Sequence, residues 1–396
     1  MSPSVDRDYL VRTLTGLIRI NSINPTLVPG GAGEAEIAAY TADSLARCGL
    51  EIKTYEPEAG RPSVVGRLAG SGRGRSLMLN AHYDTVGVDG MPEPFSAAIR
   101  DGKLYGRGAY DMKSSLAACM TAAKALADAG SPQAGDVLVA AVADEEYGSL
   151  GTASVIANVK VDGAIVTEPT SLKICLAHKG YLWIEVETTG RAAHGSRFNE
   201  GLDANMRMGR FLAELDLLER ELRGRPPHPL VGPPSLHAAM IHGGSGLSTY
   251  AASCKLQIER RSVPGETEAQ AMHEIQDIIS RLSARDSSFH ATAKAFFVRE
   301  PFEVSPDAAI VKSVDRAATK VLGRPQPRFG DTPWMDAALL SAAGVETVVI
   351  GPHGAGAHAI EEWVDVESAV YLAEILVQAA LDYCRSSGAG PRPAHE

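Results

Sequence analysis

Two histidines and four acidic residues stand where metal-binding chemistry is possible. They come from five separated segments of chain, and each stands after a short apolar run or just before a helical pattern. These residues are His82, Asp111, Glu145, Glu146, Glu168 and His358. Taken singly, each has an ordinary interpretation, such as a helix cap for Asp111 or an exposed loop for Glu145 and Glu146. Taken together at one place, so many acidic groups require cations among them.

The elements that must position these residues are four short apolar runs. They cover residues 76–80, 136–142, 163–167 and 346–351, and they are apolar on both faces, which is typical of buried parallel strands. Helical spacing lies between them, notably in residues 113–129 and 308–322. The alternation predicts an α/β domain with a doubly wound, mostly parallel sheet. Such a sheet binds ligands outside the carboxyl ends of its strands, where the six residues would meet.

The pattern changes from about residue 179. Residues 181–187 alternate apolar and polar side chains, as a half-exposed antiparallel strand does, and residues 204–222 and 266–282 have amphipathic helical spacing. We therefore predict a smaller α+β domain over residues 179–298, inserted into a metal-binding catalytic domain of residues 1–178 and 299–396. The Gly- and Pro-rich tail from Ser386 is predicted to be unstructured.

The ligand types indicate which metal and what kind of site. Imidazole and carboxylate without thiolate suit Zn²⁺ and also tolerate Co²⁺ or Mn²⁺. Two ions sharing these six residues would each keep open positions for water, as catalysis requires. A shared carboxylate can bridge ions ~3.5–4 Å apart and hold a hydroxide between them.

Composition argues against several other classes of protein. The chain of 396 residues has a formal net charge of −10, which disfavours nucleic acid and anionic membrane as partners. It contains no apolar run of the ~18–20 residues that span a bilayer, and its N-terminus does not resemble a signal peptide. The five cysteines are scattered without CxxC spacing, so we expect reduced thiols in a cytoplasmic protein.

The motifs around these residues resemble the dinuclear zinc metallopeptidase and amidohydrolase family M20, which includes acetylornithine deacetylase and aminoacylase-1. The resemblance covers residues 6–384 and is carried by four short motifs. These motifs are His-x-Asp at His82, Gly-Arg-Gly-x-x-Asp-Met-Lys ending at Lys113, Glu-Glu-x-Gly at Glu145, and the late Ala-His at His358.

The resemblance implies a role for each residue of the site. His82 and Glu168 would bind one metal ion, Glu146 and His358 the other, and Asp111 would bridge them. Asp84 would orient the imidazole of His82. Glu145 would be the general base that takes a proton from the bridging water and passes it to the leaving amine. The resemblance also implies a cis peptide bond between Asp111 and Met112, and a supporting role for Glu362 beside the metal loop.

The resemblance further implies that the inserted domain is a lid that also forms a homodimer interface. Within it, His194 matches a histidine that stabilises the tetrahedral oxyanion, often from the partner subunit. Arg261 matches a residue that holds a substrate carboxylate, whereas its neighbour Arg260 is expected to be a surface charge. Ser248 stands where the family often has an asparagine that contacts the substrate.

The predicted activity is metal-dependent hydrolysis of an amide bond beside a carboxylate. Deacylation of an N-acyl amino acid, as in acetylornithine deacetylase, is the favoured form, and a metallo-exopeptidase acting on short peptides is the alternative. An inactive binding or scaffold protein is a third hypothesis, which the intact Glu145 and ligand positions disfavour. The motifs do not specify the acyl group, the amino acid or the native metal.

Overall fold

The computed structural model of the protein describes residues 3–385, which form two compact units. Among the described residues, the first unit comprises 3–176, 304–329 and 335–385, and the second comprises Ala177–Glu303 and Gly330–Trp334. The sequence predicts an inserted domain over residues 179–298, whereas the second unit runs from Ala177 to Glu303 and also includes the short segment Gly330–Trp334. The roles of catalytic domain and lid stay predictions, and the tail from Ser386 lies outside the described residues.

The helices and strands are numbered in chain order. The helices are α1 (Arg7–Arg19), α2 (Ala35–Arg47), α3 (Lys113–Asp128), α4 (Leu150–Asn158), α5 (Ala204–Gly224), α6 (Glu268–Arg285), α7 (Ala309–Leu322), α8 (Ala337–Ala342) and α9 (Val366–Tyr383). The strands are β1 (Glu51–Tyr55), β2 (Ser63–Leu68), β3 (Leu77–His82), β4 (Ala98–Arg100), β5 (Lys103–Tyr105), β6 (Val137–Val142), β7 (Gly163–Val166), β8 (Ile174–His178), β9 (Gly180–Thr189), β10 (Ser235–Gly243), β11 (Ser253–Ser262), β12 (His290–Arg299), β13 (Phe302–Glu303), β14 (Arg328–Asp331), β15 (Glu346–Val349), β16 (Gly354–Ala355) and β17 (Trp363–Asp365).

A large mixed sheet forms the centre of the first unit. Its strand order is β1-β2-β6-β3-β7-β15-β8-β13, with β14 paired to β8. The four strands β6, β3, β7 and β15 are parallel to one another, and the strands that flank them are antiparallel. Every residue of β3, β6 and β7 is buried, which explains why these runs are apolar on both faces. The α/β class is confirmed, with a parallel core inside a mixed sheet.

Helix α3 connects the segment that carries Asp111 to this sheet. It packs against α1, α9 and β3, and it is buried along most of its length. Its sequence fits this position because alanines and serines let neighbouring elements approach closely. The helix begins at Lys113, directly after Asp111 and Met112, so Asp111 is fixed at the start of a buried helix.

A small four-stranded sheet brings distant loops of the first unit together. Its order is β16-β17-β5-β4, and β17 pairs antiparallel with β5. Glu362 immediately precedes β17, and Gly106 immediately follows β5. The Gly106 N–H donates to the backbone oxygen of Glu362 at 3.1 Å. The pairing therefore places the Glu362 side chain beside the loop that carries Asp111.

The second unit is built on an antiparallel sheet in the order β10-β11-β9-β12. Buried and half-buried residues alternate along β9, as the sequence predicts for residues 181–187. The buried face, which includes Ile184 and Val186, packs with α5 and α6 around Phe211 and Ile275. Helix α6 begins with a capping box formed by Thr267 and its third helical residue. No helix among residues 3–385 is long and apolar enough to cross a membrane.

Candidate metal centre

His82 stands at the carboxyl end of β3 with its ring buried. Its Nδ1 lies 3.0 Å from the backbone oxygen of Asp84, which only accepts, so we assign the proton of the neutral ring to Nδ1. The lone pair of Nε2 then faces carboxylates, with Asp111 Oδ1 at 3.2 Å and Glu168 Oε1 at 3.6 Å. A lone pair aimed at anionic oxygens is unfavourable unless a cation or a proton lies between them. This geometry fits a metal ion.

Asp111 lies between the two predicted metal-binding histidines. Its Oδ1 faces His82, and its Oδ2 lies 3.5 Å from Nε2 of His358. The same Nε2 of His358 lies 3.0 Å from Oε2 of Glu146. One carboxylate therefore presents one oxygen to each side of the site, as a bridging ligand must. The peptide bond between Asp111 and Met112 is cis, which confirms that prediction.

All six predicted residues meet in one cluster of the first unit. Ligand atoms of His82, Glu145 and Glu168 lie within 4.8 Å of one another, and so do those of His82, Asp111 and Glu146. Glu145 Oε2 is 3.9 Å from Nε2 of His82, slightly farther than the oxygens of Asp111 and Glu168. The structure thus brings together residues from five segments, as the strand ends predict.

The carboxylates of the cluster have perturbed acidities. Burial raises the pKa of Glu145 and of Glu168 well above the ordinary value, and the pKa of Glu146 is also raised by burial. Burial acts in the same direction on Asp111, but its hydrogen bonds with His358 and His82 lower its pKa overall. Three carboxylates that resist ionisation in one buried place are stabilised as anions only when positive charge is supplied. Divalent ions would supply that charge.

Asp84 lies behind the ligands and is fully buried. Its carboxylate is 3.6 Å from Nδ1 of His82, whereas its backbone oxygen is at hydrogen-bond distance from that nitrogen. The carboxylate instead accepts the N–H groups of Glu145 at 3.1 Å and Glu146 at 3.2 Å. Asp84 therefore touches His82 through its main chain and positions the Glu145–Glu146 pair through its side chain.

Glu362 supports the opposite side of the cluster. Its Oε1 accepts the backbone N–H groups of Tyr110 at 2.8 Å and Asp111 at 2.9 Å. Its Oε2 accepts from the Arg107 guanidinium at 2.6 Å and from the Gly108 N–H at 3.0 Å. Arg107 also donates to the backbone oxygen of Ala359, beside His358, which has a left-handed φ of 60°. One buried carboxylate thus fixes the Asp111 loop and, through Arg107, the loop of His358.

The remaining predicted site residues lie in the second unit. His194 is exposed, and its Nδ1 is 2.8 Å from Oγ of Ser196. The backbone oxygen of Ser248 accepts the Gly195 N–H at 2.7 Å, so His194 and Ser248 stand in neighbouring loops. Arg261, on β11, donates to Glu259 Oε1 at 2.6 Å.

Arg260 corrects one expectation of the sequence analysis. It was expected to be a surface charge, but its side chain is only 1% exposed. Its guanidinium bonds to Glu266 at 2.9 Å and to Glu274 at 3.0 Å. The alternation along β11 points Arg260 to the helix-covered face, and these two carboxylates make its burial possible.

Sequence patterns did not single out a second group of residues near the metal cluster. Asn24, Glu34 and Arg61 are buried. Asn24 donates to Asp84 and Asp144, and Arg61 donates to Asp144 and to Glu34. They come from segments far apart in the chain with no shared spacing. No motif or periodic pattern in the sequence marks them, since Glu34 and Arg61 stand close to other charged residues such as Glu36 and Glu58.

Comparison with known proteins identifies the family. The family described as Peptidase family M20/M25/M40 matches residues 78–382. The chain belongs to peptidase family M20/M25/M40. The prediction of a metal-dependent amidohydrolase is thereby confirmed at the level of the family, and so is the resemblance on which it was based.

Curated relatives match this M20 chain over nearly its whole length. It is 28% identical over 386 residues to acetylornithine deacetylase of Myxococcus xanthus, covering 94% of this chain and 97% of the relative. It is 27% identical over 391 residues to N-formyl-4-amino-5-aminomethyl-2-methylpyrimidine deformylase of Bacillus subtilis, covering 91% of this chain and 92% of the relative.

Solved structures share the fold of the M20 chain at low sequence identity. Aminopeptidase PepT of Bacillus cereus has a TM-score of 0.77 at 17% identity, covering 96% of this chain and 99% of that one. The YXEP protein of Bacillus subtilis, described as a dinuclear metal-binding peptidase, has a TM-score of 0.72 at 14% identity, covering 95% and 97%. At these identities the likeness supports the fold and leaves the substrate open.

Proposed function

We propose that this M20 chain removes the acyl group from an N-acyl amino acid, using two divalent ions. The observation that carries the proposal is Asp111, whose two carboxylate oxygens face His82 on one side and His358 on the other. His82 and Glu168 would hold one ion, Glu146 and His358 the other, and Asp111 both. The histidine and carboxylate set suits zinc, with cobalt or manganese as alternatives.

The ions, when bound, would polarise the scissile carbonyl and make water a stronger nucleophile at neutral pH. We assign the proton transfer to Glu145. It follows Asp144 in the loop after β6, it is largely buried, and its backbone N–H is held by Asp84. Glu145 takes a proton from the attacking water as the new C–O bond forms, and it gives that proton to the nitrogen as the C–N bond breaks.

The choice of a deacylase is supported by the curated relatives. Two that match more than nine-tenths of this chain are named as a deacetylase and a deformylase, both of which release a small acyl group from nitrogen. A metallo-exopeptidase, either a dipeptidase or a carboxypeptidase, remains the alternative because PepT, named as an aminopeptidase, shares the fold.

The test compares substrates and one variant of the base. The protein, loaded with Zn²⁺ or Co²⁺, is assayed on N-acetyl and N-formyl amino acids and on dipeptides with the same C-terminal residue. We expect deacylation to be faster. Faster hydrolysis of the dipeptides would reject the deacylase in favour of the exopeptidase.

Glu145→Gln examines the proton transfer separately. The variant should still bind two ions per chain but lose about 100-fold or more in kcat, since a positioned general base typically contributes at least that much. The exposed Glu58→Gln is the matched control and should leave kcat unchanged. Turnover by Glu145→Gln within a few-fold of wild type would remove Glu145 from the mechanism.

We further propose that the second unit contributes to the reaction as a lid and forms a homodimer. His194 would stabilise the oxyanion, and Arg261 and Ser248 would contact the substrate carboxylate. The edge strand β10 supports a dimer, because Met240 and Ile241 are 53% and 52% exposed on it. The five cysteines are thiols and not disulfides, which is consistent with a cytoplasmic location, and we retain that location as part of the proposal.

Mixing inactive variants tests whether His194 acts across a dimer. If it does, equal amounts of His194→Ala and Glu145→Gln subunits should regain about a quarter of wild-type activity after exchange, because half of the dimers then hold one intact site of two. No recovery, with subunit exchange shown by mass spectrometry, would place His194 within its own chain or outside the reaction.

A further inference from the structure

A buried cluster of polar residues lies behind the metal-binding residues of the first unit. Its centre is the Arg61 guanidinium, which is 6% exposed. Arg61 donates from Nε and Nη2 to the two oxygens of Glu34, at 2.6 and 2.8 Å. The same Nη2 donates to Asp144 Oδ1 at 2.7 Å, and Nη1 donates to Thr26 Oγ1 at 2.7 Å. A planar guanidinium suits this arrangement because its donors are fixed in one fork.

Asp144 links this cluster to the catalytic loop. It directly precedes Glu145 and Glu146, and its φ of 69° lies in the left-handed region that non-glycine residues rarely adopt. Such a conformation is strained and persists when the surroundings fix it. The Asp144 side chain is 1% exposed and is fixed by Arg61 and by Asn24, whose Nδ2 donates to it at 3.0 Å.

Asn24 provides a second connection to the same loop. Its Nδ2 also donates to Asp84 Oδ2 at 2.8 Å, and Asp84 accepts the N–H groups of Glu145 and Glu146. The Asn24 Oδ1 accepts from Arg61 Nη2 at 3.2 Å, so the orientation of the amide is fixed as well. Two hydrogen-bonded routes thus lead from Arg61 to the two peptide groups that carry Glu145 and Glu146.

We propose that Arg61, held by Glu34, is a positioning residue that sets the backbone of Glu145 and Glu146 for metal binding and proton transfer. This inference rests on the proposed function of those two glutamates. It assigns to Arg61 a task beyond stability, because the bonds of its guanidinium lead to the loop that holds both glutamates.

Arg61→Lys tests the proposal because it keeps the charge and removes the fork. One ammonium cannot reproduce the bidentate contact with Glu34 and also reach Asp144 in the same plane. The matched control is Arg67→Lys: Arg67 lies on β2, six residues further along, and also binds two carboxylates, Glu51 and Asp136, but on the surface. Each protein is titrated with Zn²⁺ by calorimetry, and its Co²⁺ absorption spectrum and kinetics are recorded.

We expect Arg61→Lys to bind at least one of the two ions about tenfold more weakly, to change the Co²⁺ spectrum and to lose about 10–100-fold in kcat, with KM within about threefold. Arg67→Lys should match wild type in all four measurements. A purely structural role would lower the melting temperature and the folded fraction, but it would leave the metal affinity and spectrum of the folded protein unchanged. That result would overturn the proposal.

Glu34→Gln serves as the second variant should Arg61→Lys fail to fold. It leaves the guanidinium in place but gives it one acceptor oxygen instead of two. We therefore expect smaller losses of metal affinity and kcat than in Arg61→Lys. Unchanged metal affinity and kcat would overturn the proposal. Failure of the proposed function is recognised separately, because wild-type protein would then bind no Zn²⁺ or hydrolyse no acyl amino acid.

Discussion

Glu362→Gln is the perturbation for which the structure gives the clearest expected magnitude. The Glu362 side chain is fully buried and accepts four hydrogen bonds. Two come from the N–H groups of Tyr110 and Asp111, and two come from Arg107 and the Gly108 N–H. A carboxylate can accept all four, whereas a glutamine amide has one accepting oxygen and one donating nitrogen.

The loss in the free energy of unfolding depends on which pair of donors the glutamine nitrogen faces. If it faces Tyr110 and Asp111, two buried N–H groups lose their acceptor, at about 1–3 kcal/mol each. If it faces Arg107 and Gly108, the buried guanidinium loses its acceptor as well as the negative charge that either orientation removes, which costs about 3–5 kcal/mol. The variant will adopt the cheaper orientation. We therefore expect Glu362→Gln to lower the free energy of unfolding by about 2–5 kcal/mol.

The same change should weaken metal binding. The N–H of Asp111 is one of the groups that Glu362 holds, and Arg107 connects Glu362 to the Ala359 backbone beside His358. Loss of such supporting partners typically reduces metal affinity or activity by ~10–100-fold. Both ions should be affected, because Asp111 faces both histidines.

Urea unfolding in the presence of a chelator measures the free energy of unfolding without the contribution of bound metal. Glu361→Gln is the control, since Glu361 is the adjacent residue and is exposed. We expect the control to lie within about 0.5 kcal/mol of wild type, as surface substitutions usually do. If the free energy of unfolding of Glu362→Gln also lies within about 0.5 kcal/mol of wild type, then the four hydrogen bonds do not stabilise the fold as their geometry indicates, and the expected magnitude is wrong.

Two further predictions concern protons and metal. Burial raises the pKa of Glu34 from 4.5 to about 7, although Arg61 acts in the opposite direction. Between pH 4.5 and about 7, Glu34 keeps its proton in the folded protein but releases it in the unfolded chain. The free energy of unfolding therefore falls as the pH rises through this range, by at most about 3 kcal/mol. Glu34→Gln should remove this part of the pH dependence. Urea titrations at several pH values measure it, and the same dependence of the free energy of unfolding on pH in wild type and variant would contradict the prediction. Chelation of divalent ions should lower the melting temperature of wild type. Ions that bind only the folded protein stabilise it by about 2.7 kcal/mol when their concentration is 100 times their Kd. A melting temperature that changes with neither chelator nor added Zn²⁺ would contradict a metal centre.

The candidate metal ligands could be predicted because each of them stands at or after the end of a recognisable element. His82 ends β3, Glu145 and Glu146 follow β6, and Glu168 follows β7. Buried parallel strands have a strong apolar signal, and their carboxyl ends meet at one edge of the sheet. Element type and position were therefore enough to group these ligands.

The residues behind them could not be predicted in the same way. Asn24, Glu34 and Arg61 lie in or beside loops, and their hydrogen bonds join positions up to 120 residues apart, from Asn24 to Asp144. Loop conformations have no period that a sequence reveals. Arg260 shows the same limit, since its burial depends on acceptors supplied by α6 and the loop before it.

Asp84 and Glu362 show a common way of building this site. Each is buried, and each accepts main-chain N–H groups of ligand-bearing loops, those of Glu145 and Glu146 for Asp84 and that of Asp111 for Glu362. Because they act on peptide groups, they fix where a ligand side chain begins and leave its oxygens free for cations. Substitution of a single predicted ligand removes one metal-binding side chain. Substitution of Asp84 or Glu362 instead leaves the backbone of a whole ligand-bearing loop without the acceptor that fixes it. Their acceptor bonds are therefore what keeps a cluster of mutually repelling carboxylates arranged before any ion arrives.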